Sequence, residues 1–350
     1  MHPIWSWLLA TCWWMSIAEG RESWQVMETG TEASLRGLSA VNQNVVWACG
    51  SRGTVVRTLD AGTNWIARTV PGLEQVEIRS IHAWDDQRAM IATAGQPALI
   101  LKTRDGGANW KRIYELTSPQ AFIDGLKIED DGFGLAFSDP IDSKLLIAKT
   151  VDAGDSWSAV DSTRVPAIDV GEAGFAASNS SLFVQAEHAW IGLGGGSRGP
   201  SRIFKSTDRG ESWTAIPVPP IQRGESAGIF SIAFDSGQSG VAVGGDYRLE
   251  GSDEQNIAIS DDGGVSWRQP TGRRPRGFRS CVVAATDPKK KGQSQQPRWL
   301  ACGPSGCDWS SDRDSWNALS EVGFHTLNVS RDHVVWASGA GGRIGRLNWD

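Results

Sequence analysis

The chain has 350 residues, with 41 Gly, 18 Trp and only 2 Tyr, and its 40 acidic against 34 basic residues give a formal net charge of −6. That length exceeds the usual single core, so two domains are the default unless internal repetition runs one architecture through the whole chain. The mild negative charge offers no basic field for nucleic acid, and no segment after the N-terminus is long and apolar enough to span a membrane.

The first 18 residues hold no Asp, Glu, Lys or Arg and end in the small-x-small pattern "SIA" before Glu19. This predicts a secretory signal peptide cut after Ala18, and a mature chain that is extracytoplasmic, either periplasmic or secreted. Cys12, closing "LATC", offers a weaker lipoprotein-type alternative. Residues 19–350 are then expected to form a single domain.

From residue 23 onward, strand signals repeat. "SWQVMETG" (23–30) is followed by "LRGLSAV" (35–41), "VVWACG" (45–50) and "TVVRTL" (54–59), then the turn "DAGTN" and "WIARTV" (65–70). β-Branched residues alternate with polar ones between Gly, Asn and Asp punctuation, which favours strands over helices. Later inner strands are expected at "IRSIHAW" (78–84), "IDGLKIE" (123–129), "FAASNSS" (175–181), "IFSIAFD" (229–235), "FRSCVVA" (278–284) and "FHTLNVS" (324–330).

The turn "TLDAGTNW" (58–65) returns as "TRDGGANW", "TVDAGDSW", "STDRGESW" and "SDDGGVSW", and in degenerate form as "SSDRDSW". The closing Trp65, Trp110, Trp157, Trp213, Trp267 and Trp316 are 45, 47, 56, 54 and 49 residues apart, the period of one four-stranded propeller blade. The predicted fold is all-β, a seven-bladed propeller of four-stranded antiparallel blades. Its last blade stops after three strands, so the Trp24 region is expected to supply the fourth and close the ring.

Within each turn, Asp60, Asp105, Asp152, Asp208 and Asp262 are expected to accept backbone N–H bonds braced by the preceding hydroxyl. Gly62, Gly107, Gly154, Gly210 and Gly264 are expected at positive φ, and the Trp side chains against a neighbouring blade. The turn reads as a structural clip rather than a repeated ligand site.

The S/T-x-D-x-G-x-x-W pattern resembles the Asp-box (BNR) repeat of sialidases, sortilin-type receptors and related propellers. Seven such blades, with "FSDPIDSKLLIAKTVDAGDSW" (137–157), "WIGLGGGSRGPSRIFKSTDRGESW" (190–213) and "VAVGGDYR" (241–248), are similar to the photosystem II stability/assembly factor-like family. The resemblance covers residues 24–350. It implies an extracytoplasmic or lumenal binding protein, without assigning photosystem II as its partner.

Cys302 and Cys307 in "CGPSGC" flank a four-residue turn and suit either a disulfide or two free thiols. Cys49 and Cys281 complete the mature set. The scattered His residues assign no metal, and no motif calls for a cofactor. "KKK" (289–291) lies in an insertion in blade 6 and reads as a solvated loop.

Function is expected on the face opposite the Asp boxes, where the second–third loops are long in blades 3 (138–144), 4 (194–202) and 5 (244–256). The residue after each inner strand's opening apolar position is Arg36, Arg79, Asp124, Ala176, Phe230, Arg279 or His325. The expected interaction face is Arg36, Arg79, Asp124, Arg279 and His325 with Asp139, Arg198, Asp246, Tyr247 and Arg248. Such a cluster suits a carboxylate, a phosphate or an acidic tail, so the partner expected for a monomeric chain is a protein or an acidic or glycan ligand. The alternative is glycoside hydrolysis, with Tyr247 beside Asp246 and Glu250, or Asp139 or Asp142 paired with Asp246.

Overall fold

A computed structural model describes residues 23–235, 238–290 and 296–349; the signal peptide, its cut after Ala18 and Cys12 lie outside them. Seven antiparallel sheets follow one another along the chain, as the Trp period predicts. Blade 1 is Leu35–Ala40, Val46–Gly50, Thr54–Thr58 and Ile66–Thr69, paired in that order. The only helical segments among the described residues are single 3-10 turns, Ser162–Arg164 and Pro288–Lys290. Part of the Lys-rich insertion, 291–295, lies outside the described residues, while Lys289 Nζ donates to the Trp349 carbonyl.

Ring closure occurs as the truncated last blade requires. Ser23–Glu28 adds antiparallel to Arg343–Asn348, with Trp24 opposite Leu347 and Glu28 opposite Arg343. Trp24 also packs its ring 5.1 Å from Phe324 of the same blade. Blade 7 thereby gains the same four strands as a standard blade, with the N-terminal strand as its outer one.

Burial follows the radial plan. Middle strands such as Val46–Gly50, Ala89–Ala94, Ile257–Ser260 and Val335–Ser338 are buried along their whole length, because each sheet is covered by a sheet on either side. Seven apolar clusters result, one for each pair of neighbouring blades from blades 1 and 2 round to blades 7 and 1.

The Asp box locks each third–fourth turn to the preceding blade. In the first, Thr58 Oγ1 donates to Asp60 Oδ1 (2.9 Å) and accepts from Gly62 N (3.0 Å). Asp60 accepts from Asn64 N (2.8 Å) and Asn64 Nδ2 (2.7 Å). The same bonds recur around Asp105, Asp152, Asp208 and Asp262. Gly62, Gly107, Gly154, Gly210 and Gly264 all have positive φ, between 77 and 86°. A Cβ there would strike Met27, Met90, Leu135 or Trp190 and press tightly on Trp47, each from the blade before. The degenerate sixth box keeps the geometry with Arg313 at φ 71°, and Trp316 Nε1 donates to its carbonyl at 2.9 Å. The Trp side chains enter the same interblade seams.

Two departures shape the functional end. "FAASNSS" (175–181) is not the inner strand of blade 4, which is Leu182–Gln185. Blade 5 is a five-stranded sheet: the short pieces Glu172–Ala173 and Gly194–Gly195 add to its inner side, while its outer strand is reduced to a bridge between Ile259 and Arg268. Glu172, fully buried there, is held by Arg202.

Gly264→Ala should lower unfolding free energy by about 2 kcal/mol or more, because it adds a Cβ at positive φ against the Trp190 indole. Urea denaturation measures this. Deleting residues 23–28 should convert one cooperative thermal transition into a broadened, much lower one, followed by near-UV circular dichroism.

Candidate functional site

The inner strands place their second residues toward the axis through a repeated irregularity. In blades 1, 2, 3 and 5 the ladder to the second strand slips between Leu35 and Gly37, Ile78 and Ser80, Ile123 and Gly125, and Ile229 and Ser231. The unpaired residues are Arg36, Arg79, Asp124 and Phe230. A bulge frees a side chain from the in–out alternation and re-aims it, here into one cavity of about 530 Å³. His325, just before Thr326–Val329 of blade 7, reaches the same cavity, as do Asp139 from the second strand of blade 3 and Tyr247 from the second–third connection of blade 5.

One side of the cavity is cationic. Arg36 is half-buried and makes no hydrogen bond or ion pair among the described residues. Burial and the neighbouring Arg79 hold its guanidinium below its ordinary pKa. Arg79 Nε stands 3.5 Å from Glu77 Oε2, and its Nη1 donates to the Ala176 carbonyl at 3.3 Å. His325 is pushed down to about 3 by burial and by Arg36, Arg79 and Arg343, so it is a neutral ring there; its Nε2 lies 3.1 Å from Ser34 Oγ. Blade 3 supplies the acidic side. Asp124 is raised well above the carboxyl range by burial and by Asp139, and Asp139 is raised to about 6, chiefly by burial.

The opposite side is aromatic, which the sequence reading missed. Phe175 and Phe230 stack at 4.0 Å between centroids and 7° between planes, and Phe278 meets Phe230 edge-on at 4.7 Å. Tyr247, 42% exposed, stands edge-on over Phe175 and Phe230 at 6.4 and 6.2 Å. The available signal was Phe230 itself, which occupies the same bulge column as the arginines.

The floor is the misread segment. Ala176 O accepts from Arg79 of blade 2, and Asn179 Oδ1 from Leu126 N of blade 3 (2.8 Å). Ser180 Oγ donates to Ser231 Oγ of blade 5 (2.7 Å), and Ser178 Oγ to the Ser280 carbonyl of blade 6 (2.7 Å). Ser178 O accepts from Thr326 Oγ1 of blade 7 (3.0 Å). A segment bonded to five other blades crosses the axis, so the cavity is a cup rather than a bore. The long 56-residue interval from Trp157 to Trp213 was its trace in the sequence.

Not every expected residue meets here. Arg279 is fully buried and turned into its own blade: its Nε and Nη2 donate to Asp308 Oδ2 at 2.8 and 2.5 Å, and its Nη1 to Ser305 Oγ. It is a strut of the blade 6 hairpin and does not line the cavity. Arg198 is exposed at the tip of the blade 4 hairpin. Arg248 pairs with Glu225 at 3.1 Å, and Asp246 accepts the Arg248 N–H at 2.9 Å; none of these three lines the cavity either. The blade 3 "loop" 138–144 is an extended hairpin, Gly134–Ile141 and Lys144–Thr150, turning at Asp142 and Ser143 with both φ positive.

Cys302 and Cys307 are free and buried, as are Cys49 and Cys281. Their turn is tighter than read, with Gly303 already pairing with Gly306, and Cys307 Sγ lies 3.4 Å from the Val322 carbonyl. Among the described residues, no three His, Cys, Asp or Glu side chains are grouped to hold a metal.

Comparison with known proteins agrees with this architecture. Residues 17–168 match the family model for photosynthesis system II assembly factor YCF48. The photosystem II assembly lipoprotein Ycf48 of Synechococcus sp. (strain CC9902) is 28% identical over 138 residues, 39% of this chain; that stretch is also 39% of the relative's length. The fold is shared with a solved structure of YCF48 bound to D1 peptide (TM-score 0.62, 18% identity, 93% of this chain and 95% of that one). It is shared equally with YCF48 from Cyanidioschyzon merolae (0.63, 17%, 93% and 98%). The WD40 propeller domain of Doa1 also superposes (0.57, 13%, 93% and 98%). With the repeat and the blade number in agreement, this chain is a seven-bladed Asp-box propeller, and over residues 17–168 it is similar to the photosystem II assembly factor family.

Proposed function

We propose that this chain is an exported, non-catalytic binding propeller that receives an anionic segment of a protein partner in the cup opposite the Asp boxes. The observation that carries this reading is Arg36, a guanidinium taken half out of water beside a second arginine, with no ion pair of its own among the described residues: the nearby Glu77 acts on it through space but pairs with Arg79. Folding alone does not favour such a group, because desolvating an unpaired charge costs free energy that an incoming anion would return. The planar forks of Arg36 and Arg79 suit a carboxylate. The closed floor favours end-on entry over threading, and the aromatic side supplies apolar area beside the charge.

Two further observations support the assignment. A fold neighbour, YCF48, is known bound to D1 peptide, so the scaffold hosts peptide recognition elsewhere. The curated relative is a lipoprotein, and no helix among the described residues is long and apolar enough to cross a membrane; both are compatible with an extracytoplasmic place after loss of the leader. Glycoside hydrolysis has less behind it: Asp246 is spent on the Arg248 amide, and Asp139 meets Asp124 rather than a second, separately exposed acid.

Capture of a partner from native envelope extract should fall about tenfold or more when Arg36 and Arg79 are both changed to Ala, with melting temperature unchanged or raised. Retained capture would overturn the reading. Arg279→Ala, by contrast, should cost about 3–5 kcal/mol of stability by leaving Asp308 buried with one partner fewer, as read by chemical denaturation.

A further inference from the structure

Blade 3 departs from its neighbours in carrying two bulges side by side. Its first ladder slips between Ile123 and Gly125, its second between Ser138 and Pro140, and the residues set free are Asp124 and Asp139. Their carboxyl groups meet at the cup wall. Asp124 is 1% exposed, and neither Asp124 Oδ2 nor Asp139 Oδ1 has a hydrogen-bond partner of its own. Two neighbouring carboxyls, one buried and one half-buried, cannot both ionise cheaply, so the pair favours keeping one proton.

The groups facing this pair come from every side of the cup. Arg79 of blade 2 is the cation acting on Asp124, and Glu77 stands 3.5 Å from that arginine and also acts on Arg36. Arg36 and His325 stand across the cavity from blades 1 and 7, and Tyr247 and Glu250 from blade 5. The blade 4 segment packed on Asp124, Gly174–Ala177, carries no ionisable side chain.

We propose that the Asp124–Asp139 pair is a proton-operated gate on the anion affinity of Arg36 and Arg79. With one negative charge on the pair the cup holds a carboxylate weakly; with the pair neutral it holds one tightly. This rests on the reading of the cup as an anion site. The sign follows from the order of protonation: Asp124 keeps its proton to higher pH, and Asp139 gains one as pH falls through about 6, taking the pair from −1 to 0. Linkage then requires that anion binding raise the Asp139 pKa and take up as much as one proton. His325 stays neutral throughout this range.

The probe is N-acetyl-phenylalanine, a carboxylate with an apolar ring, against its amide, titrated calorimetrically at pH 5 and pH 7.5. Wild type should bind the acid about three- to tenfold tighter at pH 5, with proton uptake, and Asp139→Asn should lose both the difference and the uptake. Weaker binding at pH 5, or the same gain in the variant, overturns the gate. Carbon-13 carboxyl titration of the unaltered protein is read separately and supports the gate if one aspartate has a midpoint near 6. Ordinary midpoints for both residues overturn the gate while leaving the anion site intact. A midpoint near 6 with no acid bound at either pH overturns the anion site, and the gate falls with it.

Discussion

Every sheet in this molecule depends on having a sheet on either side of it. The middle strands are apolar on both faces, so a blade without neighbours would expose two oily surfaces, and a ring with a gap would expose two. The Ser23–Glu28 strand answers that constraint by completing the blade that ends at the other terminus. Chain ends more than 300 residues apart are thereby made one sheet, and the seven interblade cores become a continuous belt. The Asp boxes serve the same end locally. Each one turns its glycine, at positive φ, onto the side chains of the blade before it, where an added Cβ would press on its neighbour.

A closed ring holds its inner strands in fixed relation, and the cup exploits that rigidity. Bulges cost ladder hydrogen bonds, yet four blades place one at the same height. The belt of interblade packing tolerates the loss and keeps two arginines close despite their repulsion. The 176–180 segment contributes from below, since its side chains and carbonyls bond to five blades and close the axis.

Periodicity carried most of the fold into view. Blade number, clip glycines and closing strand all express one repeated spacing, and the bulge column inherited the same period, which is why Arg36, Arg79, Asp124 and His325 could be aligned without coordinates. What stayed hidden does not repeat. Asp308 neutralises Arg279 through a hairpin turn, and nothing about Arg279's place in the column distinguishes it from Arg79. "FAASNSS" looked like an inner strand because the period demanded one, although its small polar residues lack the apolar alternation a strand would bury. Phe175 and Phe278 looked like ordinary strand openings; only their convergence on Phe230 makes them a wall.

The carboxylates of the two ends of the molecule answer protons in opposite directions. At the clips, hydrogen bonds from Asn109 and Ser156 hold Asp105 and Asp152 down to about 2. A carboxyl whose folded pKa is depressed contributes stability that is whole above its unfolded value near 4 and fades as pH falls toward 2. At the cup, Asp139 is raised to about 6, so its contribution has the other sign: ionisation above 6 opposes folding, and that cost disappears as pH drops from 6 to 4. Between roughly pH 4 and 6, therefore, the cup can take up its proton while the clips remain ionised and the ring stays fastened. The cup can change its charge in that interval without loosening the scaffold that shapes it, because the two sets of aspartates are held by different partners.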